Sequence, residues 1–587
     1  MLDTTKNDGV KAAIKTNVTL SEADRDVSEA DATKIDPTNG VVEISKSGKY
    51  LFEGNYGGII ATKKELTLHF IFKNAHFTNK NGIAIDCQDK KVDSLIITLA
   101  DGTTNSVTND GDDVNAVHIK GGPLTINGKG TLNITSDSKS GIKCGKIIKI
   151  VDATLNISAA NHGVTGSAVI AQSCAINVTA AGKDGINAEY DEYAPEESVF
   201  TDDGFVSLVD VNYTCDVMGD GIQADTVVYI DGGNYNIKTT GEFVSKTADN
   251  MKEYDLTTDD FKYTKSGNDY KRIASDETGR YGNNLYALAQ GCKGIKVGEL
   301  EYTVKDDDGN KTTVTLYDAG YLIAIDGGTF NINSTDDAIH ANSGDVLITD
   351  GTFTIATMDD GVSADNLTKI VGGNITVTSS YEGLEGSYVE ITGGTISIVA
   401  SDDGINAASD DWRVQEHIII SGGDITVDAN GDGIDSNGSI LIAGGKVVVH
   451  GPTTGGDAGL DADKGIVVNG GVLFASSTLG MVETPSSNSE QCVVSYAQNS
   501  AISVGSTVAL KDNKGNVLIE VEVKKNNCQS IIFSHPFLAM NSKYTIWIAG
   551  KKVETFTISS IITSIGVSTQ GGFGRPGGGG PNRPDRP

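Results

Sequence analysis

The sequence predicts an all-β fold, a right-handed parallel β-helix, and three observations carry that prediction. An acidic turn recurs between Asp336 and Asp463 as DDAIHAN, DDGVSAD, YEGLEGS, DDGINAA, GDGIDSN and DAGLDAD. Its small residue falls at Ala338, Gly361, Gly383, Gly404, Gly433 and Gly459, in steps of 23, 22, 21, 29 and 26 residues. A period in the twenties marks a repeat architecture whose units bury their apolar faces against one another. The residue after the small one is apolar every time: Ile339, Val362, Leu384, Ile405, Ile434 and Leu460. Stacked copies would align these as one interior column. Each copy then ends in a β-branched run, such as Ile375-Thr376-Val377-Thr378 after Gly372-Gly373, alternating inward and outward like a half-buried strand. A unit of about 22 residues is too short for a strand-helix-strand crossover. Leucine is scarce at the offsets a leucine-rich repeat requires.

Taken in order, residues 1–40 form a polar segment, within which SEADRDVSEADATKID offers a short helix. Residues 41–111 turn to β patterning (KYLFEGNYGGIIA, LTLHFIFKNAHFTN) and are expected to cap the solenoid, because an open end would expose a sheet edge. The parallel β-helix is expected over 112–474, with insertions at 189–204, 240–294, 298–318 and 408–417. Insertions in a repeat architecture become loops on one face, often the binding face. Residues 475–565 read as a small antiparallel cap, with Asn513-Lys514-Gly515-Asn516 as a hairpin turn. The tail, 566–587, is rich in Gly and Pro and is expected to be disordered.

The 587 residues carry 46 Lys plus Arg against 78 Asp plus Glu, a formal net charge of −32. That balance excludes nucleic acid, whose phosphates need basic partners, and suits cations or polyanions bridged by cations. The seven cysteines are scattered without a CxxC pair, which excludes a zinc site of the usual spacing. No apolar run is long enough to span a membrane. The start, MLDTTKNDGV, has no signal-peptide pattern.

Stacking would bring equivalent acids of neighbouring copies about 4.8 Å apart. The acids at the turns are Asp336, Asp337, Asp359, Asp360, Glu382, Asp402, Asp403, Asp432 and Asp457; those just beyond are Asp365, Glu385, Asp435, Asp461 and Asp463. Like charges so close repel unless a cation intervenes, and clustered hard oxygens suit Ca²⁺. The structural alternative is that Asp at a tight turn bonds the local backbone. His118, His162 and His340 lie near turns and read as structural. Tyr381, Tyr388 and Trp412 lie in or beside the acidic column and are candidate sugar-stacking rings. A polysaccharide lyase on this fold uses an Arg or Lys base; no Arg occurs between Arg280 and Arg413, and the lysines there lie mostly in loops. The Asp-Asp doublets would suit a hydrolase's carboxylate pair, but their repetition favours binding over one catalytic site.

The strings DDAIHAN, SSYEGLEGSYVEITGGTISI and SDDGINAA, flanked by GKYLFEG, LADGTTNSVT and FSHPFLAMNSKYTI, resemble the bacterial carbohydrate-binding, polysaccharide-lyase-like right-handed β-helix family described from a cellulose-degrading clostridium. The resemblance covers roughly residues 20 to 565. It implies an extracellular or cell-surface protein that binds Ca²⁺ and plant-wall polysaccharide, cellulose or acidic pectin-like sugar, without established lyase activity. Where that family commonly has His after the turn, His340 keeps it and Ser363 does not. The alternatives are a lyase or hydrolase of uronate polymers, and a structural adhesion protein without sugar specificity.

Overall fold

Alternation of β-branched and small polar residues yields strands whose inner positions are buried and whose outer positions face solvent, as in Thr329–Ser334 and Thr352–Thr357. The computed structural model describes residues 5–17, 19–180, 182–189, 203–257, 262–267, 269–273, 278–282, 284–298, 300–305, 311–316, 320–409, 411 and 413–568. The insertion expected at 189–204 falls mostly outside these residues. So do Trp412 and all but the start of the tail expected at 566–587. The chain forms two compact units, Met1–Tyr381 and Glu382–Pro587.

In the first unit, strands about 22 residues apart pair in parallel and in register. Thr131–Ser136 pairs with Thr154–Ala159, setting Leu132 beside Leu155 and Ile134 beside Ile157. A short strand follows each turn, and these also stack: Ile186 beside Ile222, Ile222 beside Ile295, Ile295 beside Ile339, Ile339 beside Val362. All are fully buried. The small residue at each turn is required by close approach. A Cβ at Gly163 would run into Val178 Cγ1, and one at Gly404 in the second unit would run into Val427 Cγ1. Tyr235, Phe330 and Phe353 stack inside with centroids 4.7 and 4.5 Å apart. All seven cysteines are free and buried.

The pairing corrects the expected architecture. A right-handed parallel β-helix would be a solenoid, with its faces separated at turns. Instead, Thr67–Asn79 pairs with both Ser94–Leu99 and Thr104–Asn109. Phe205–Val217 likewise pairs with both Ala168–Gln172 and Ala175–Ala180. Between these two long strands, one path runs through Leu124–Asn127 and Ile147–Val151, the other through Thr131–Ser136 and Thr154–Ala159. The ladder therefore returns to its start: among the described residues the all-β sheet closes on itself as a parallel barrel with further strands outside it, and not as the expected solenoid. The physical reason lies in the long strands. Asn74 and Asp210 sit at φ +50° and +52° inside them and bend the chain without ending the strand. Asn and Asp tolerate that left-handed conformation, so a position read as a break is a bend within one strand.

The N-terminal helix, Thr5–Asn17, lies against the first unit. Its buried Ile14 packs among Ala168, Phe205, Tyr229 and Leu322. Lys11 pairs with Asp326, and Lys15 reaches the same carboxylate at 3.1 Å. Within residues 240–294, Glu242–Ser245, Leu285–Gln290, Tyr263–Ser266 and Asp269–Arg272 form an antiparallel sheet with its own small core of Val244, Ile273, Leu285 and Ala287. Leu300–Lys305 and Lys311–Leu316 form a hairpin.

In the second unit, parallel pairing continues through Ser439–His450 and Ile466–Ser477. Antiparallel strands follow: Cys528–Ser534 joins Ile466–Ser477, while Thr507–Asp512, Val517–Glu522, Lys543–Ile548 and Lys551–Thr557 make a separate sheet. Among the described residues, no helix is long and apolar enough to cross a membrane.

Candidate cation and carbohydrate site

The turns place one residue of each copy in a column two positions before the buried Ile or Val. In the first unit, register puts His162, Asp184, Asp220, Lys293, Asp337 and Asp360 in that column. Its aspartates tie one turn to the next. Asp184 Oδ1 accepts the Asp220 N–H at 2.8 Å, Asp220 Oδ1 accepts the Lys293 N–H at 2.7 Å, and Asp337 Oδ1 accepts the Asp360 N–H at 3.0 Å. The second unit repeats this: Asp403 Oδ1 accepts from Asp432 N at 2.6 Å, and Asp432 Oδ1 from Ala458 N. The acidic turn is thus a structural device in both units, which explains why it recurs.

What surrounds the acids differs. In the first unit, Asp336, Asp337 and Asp359 bring carboxylate oxygens within 4.8 Å of one another, and side-chain cations already lie against them. Lys293 Nζ stands 2.8 Å from Asp336 Oδ2 and 3.2 Å from Asp337 Oδ2. His340 Nδ1 is 3.0 Å from Asp337 Oδ2. Burial alone would lower His340, but Asp337 overrides it and holds the imidazole above its ordinary value. Despite its own burial, Asp337 is held well below the carboxylate range by Lys293 and His340. Arg272 donates to Asp359 Oδ1 at 3.0 Å and to the Met358 carbonyl at 3.2 Å, and lies 3.7 Å from the ring centroid of Tyr381. One face of Tyr381 is therefore occupied by a guanidinium. Asp365 lies at the exposed edge, 3.9 Å from His340 Nε2.

In the second unit, Asp403, Asp432 and Asp435 bring carboxylate oxygens within 4.8 Å of one another. Burial pushes Asp432 up to about 8, with Asp403, Asp435 and Asp461 adding to the shift. Burial also pushes Asp435 to about 8, here with Asp403, Asp461 and Asp463. Burial and a hydrogen bond with Asp461 push Glu483 up to about 7. Burial raises Asp457 as well. The column just after the turn runs Glu385, Asn406, Asp435, Asp461. Asn406 is buried; its Nδ2 donates to Glu382 Oε2 at 3.0 Å, while its Oδ1 has no hydrogen-bond partner. An orphaned buried carbonyl beside three close carboxylates offers the hard oxygen donors that could hold a cation.

Of the remaining predicted residues, Asp360 belongs to the first unit and Asp402 lies beside Asp403. Tyr388 is half-buried one face away, its ring 5.6 Å from His417. Sequence reasoning missed Arg272 and Lys293. The signal for Lys293 was present, since GCKGIKV aligns with GDGIQA and DDAIHA and sets Lys where those turns have Asp. Arg272 had none, because its place depends on how the 240–294 segment folds back.

A family model described as carbohydrate-binding domain-containing protein matches residues 38–361 and 356–508. The chain belongs to that family. The family supports a sugar-binding role and agrees with the resemblance carried by SYEGLEG and DDGIN. A solved structure, the polysaccharide lyase-like protein from C. thermocellum in a gadolinium derivative, is 24% identical. It covers 34% of this chain and 82% of its own, with a TM-score of 0.29. No curated protein matches.

Proposed function

We propose that this carbohydrate-binding protein holds plant-wall polysaccharide through Ca²⁺ at the turns of its second unit, at a bacterial surface. The carrying observation is the group Asp403, Asp432 and Asp435, whose oxygens converge within 4.8 Å beside the unpartnered Oδ1 of Asn406. A Ca²⁺ ion prefers about six to eight oxygens, so protein carboxylates leave positions that an acidic sugar's carboxylate would fill. Asp461, Asp463, Asp457, Asp402, Glu382 and Glu385 surround the group with further acid. Binding rather than catalysis is favoured because Arg272 and Lys293, basic side chains beside the first unit's acidic turns, are committed to aspartates.

The test is co-sedimentation with calcium polygalacturonate gel against the same polymer in EDTA-treated solution. Retention is expected with Ca²⁺, lost with EDTA and lost in Asp435→Asn. Equal retention in all three conditions would sink the proposal, and release of unsaturated product would favour the lyase.

A further inference from the structure

His450 ends the strand Ser439–His450 and is buried where the parallel strands of the second unit meet the antiparallel ones. Its Nδ1 finds no hydrogen-bond partner among the described residues. Its ring lies 6.3 Å from that of Phe474, which in turn meets Phe533 of the antiparallel strand Cys528–Ser534. In register, Asp428 stands on one side of it and Ser476 on the other. The segment 523–527, which joins Val517–Glu522 to Cys528–Ser534, brings Lys524 and Lys525 close to it. That segment is a clamp. Lys525 Nζ stands 2.9 Å from Asp428 Oδ1, donates to Asn430 Oδ1 at 3.1 Å and also donates to the Ala429 carbonyl. Asn527 Nδ2 donates to the Thr453 carbonyl at 2.9 Å. Ala429 and Asn430 lead into the turn of Asp432, and Thr453 leads into that of Asp457. One short segment thus holds the approaches to two successive acidic turns.

We propose that His450 makes this clamp acid-sensitive: a proton taken up by its imidazole releases Lys525, and with it the two turns. A protonated Nδ1 is a donor that needs an acceptor. The carboxylate beside it, Asp428, is already held by Lys525, and Glu522 is held by Lys524 at 2.6 Å. At the far end of the same strands Lys446 pairs with Asp424 at 3.1 Å, and the Cys528 thiol is kept neutral by burial, pushed up to about 12. The imidazolium therefore either takes Asp428 from Lys525 or stays buried without a partner, and both outcomes cost the clamped state. Burial already holds His450 below its ordinary value; Asp428 opposes this, and Lys524 and Lys525 add to it. A group so depressed contributes fully at neutral pH and loses its contribution as pH falls below the ordinary histidine value. The inference goes beyond the calcium reading and does not rest on it, because the clamp holds the backbone of these turns rather than their carboxylates.

The experiment is hydrogen exchange of the full chain, read by mass spectrometry in EDTA at about pH 7.5 and about pH 5, on either side of the histidine range. Rates are divided by the intrinsic rate at each pH, and Thr329–Ser334 of the first unit serves as the internal standard. In wild-type protein, protection of 523–527 and 428–431 is expected to fall about tenfold at the lower pH while the standard holds. His450→Gln is expected to keep protection at both values. Lys525→Met is expected to be poorly protected at both, and it serves as the second arm should His450→Gln misfold. Wild-type protection that ignores pH overturns the proposal. So does an acid loss that persists in folded His450→Gln, or one of equal size in Lys525→Met, since either places the proton elsewhere.

Discussion

The two units carry the same acidic turn and neutralise it differently. In the first, the column before the buried Ile or Val includes His162 and Lys293 among its aspartates, and the column after it carries Lys296 and His340. In the second, the equivalent columns are Glu382, Asp403 and Asp432, then Glu385, Asn406, Asp435 and Asp461. The backbone hydrogen bonds made by the aspartates are alike. The lesson is that the Asp-Gly turn is kept by the fold, while its electrostatic complement is set by one residue two positions before the buried Ile or Val and one just after it. Where those positions supply Lys or His, side-chain cations lie against the acids of the turn. Where they supply acid, the carboxylates face one another without a side-chain cation between them, the arrangement on which the proposed calcium site rests.

The largest way to break this comparison is Lys293→Ala. It leaves Asp336 without its lysine and Asp337 with His340 alone in a buried site, and removing one partner of such a group costs about 3–5 kcal/mol. Urea denaturation reads the loss, and added Ca²⁺ is expected to recover part of it because the first turn then resembles the second. A variant that Ca²⁺ leaves untouched would show that the two turns differ in more than their cations. Next, Asp403→Asn with Asp435→Asn is expected to abolish the calcium-induced rise in melting temperature, whereas Asp336→Asn keeps it. The stabilisation at stake is about 2.7 kcal/mol at a hundredfold excess over Kd, and calorimetry with and without EDTA measures it.

Acidity separates the units again. Asp432 and Asp435 have folded values near 8, above the ordinary carboxylate range. Their contribution is therefore full at low pH and is lost as pH rises toward 8 in metal-free protein. In the first unit, burial pushes His69 down to about 4, and Lys149, Ser21 and Thr125 outweigh burial to lower Asp24. Those contributions are full at neutral pH. His69's is lost as pH falls from its ordinary value toward 4, and that of Asp24 at lower pH still. Melting curves of EDTA-treated protein across pH are expected to show both slopes, with Ca²⁺ flattening only the alkaline one. The smallest effect is Lys15→Ala. Its partly exposed pair with Asp326 is expected to cost under about 1 kcal/mol, a baseline against which Lys293→Ala is judged by the same urea curves.

Much of this was legible in the sequence. The apolar residue after each turn is buried at Ile339, Val362, Leu384, Ile405, Ile434 and Leu460 alike, because the spacing of small and apolar residues reports a crowded turn directly. The closed sheet was not legible, because Asn74 and Asp210 look like turn residues and act as bends inside strands. The acids of both units look equivalent in a one-dimensional reading. Only the folded chain shows that Arg272, some 87 positions from Asp359, shields one set.

The N-terminal helix has a consequence for how the molecule comes into being. Its seat is assembled from Ala168, Phe205, Tyr229, Leu322 and Leu347, and Lys11 meets Asp326 across 315 positions of chain. The helix therefore cannot be seated until the chain as far as Leu347 has been made. At ordinary synthesis rates of about 5–20 residues per second it waits roughly a quarter of a minute to a minute for its seat, and a lone helix of this length is marginal in water. Protection of its amides from exchange thus marks the assembly of this seat, from Ala168 to Leu347.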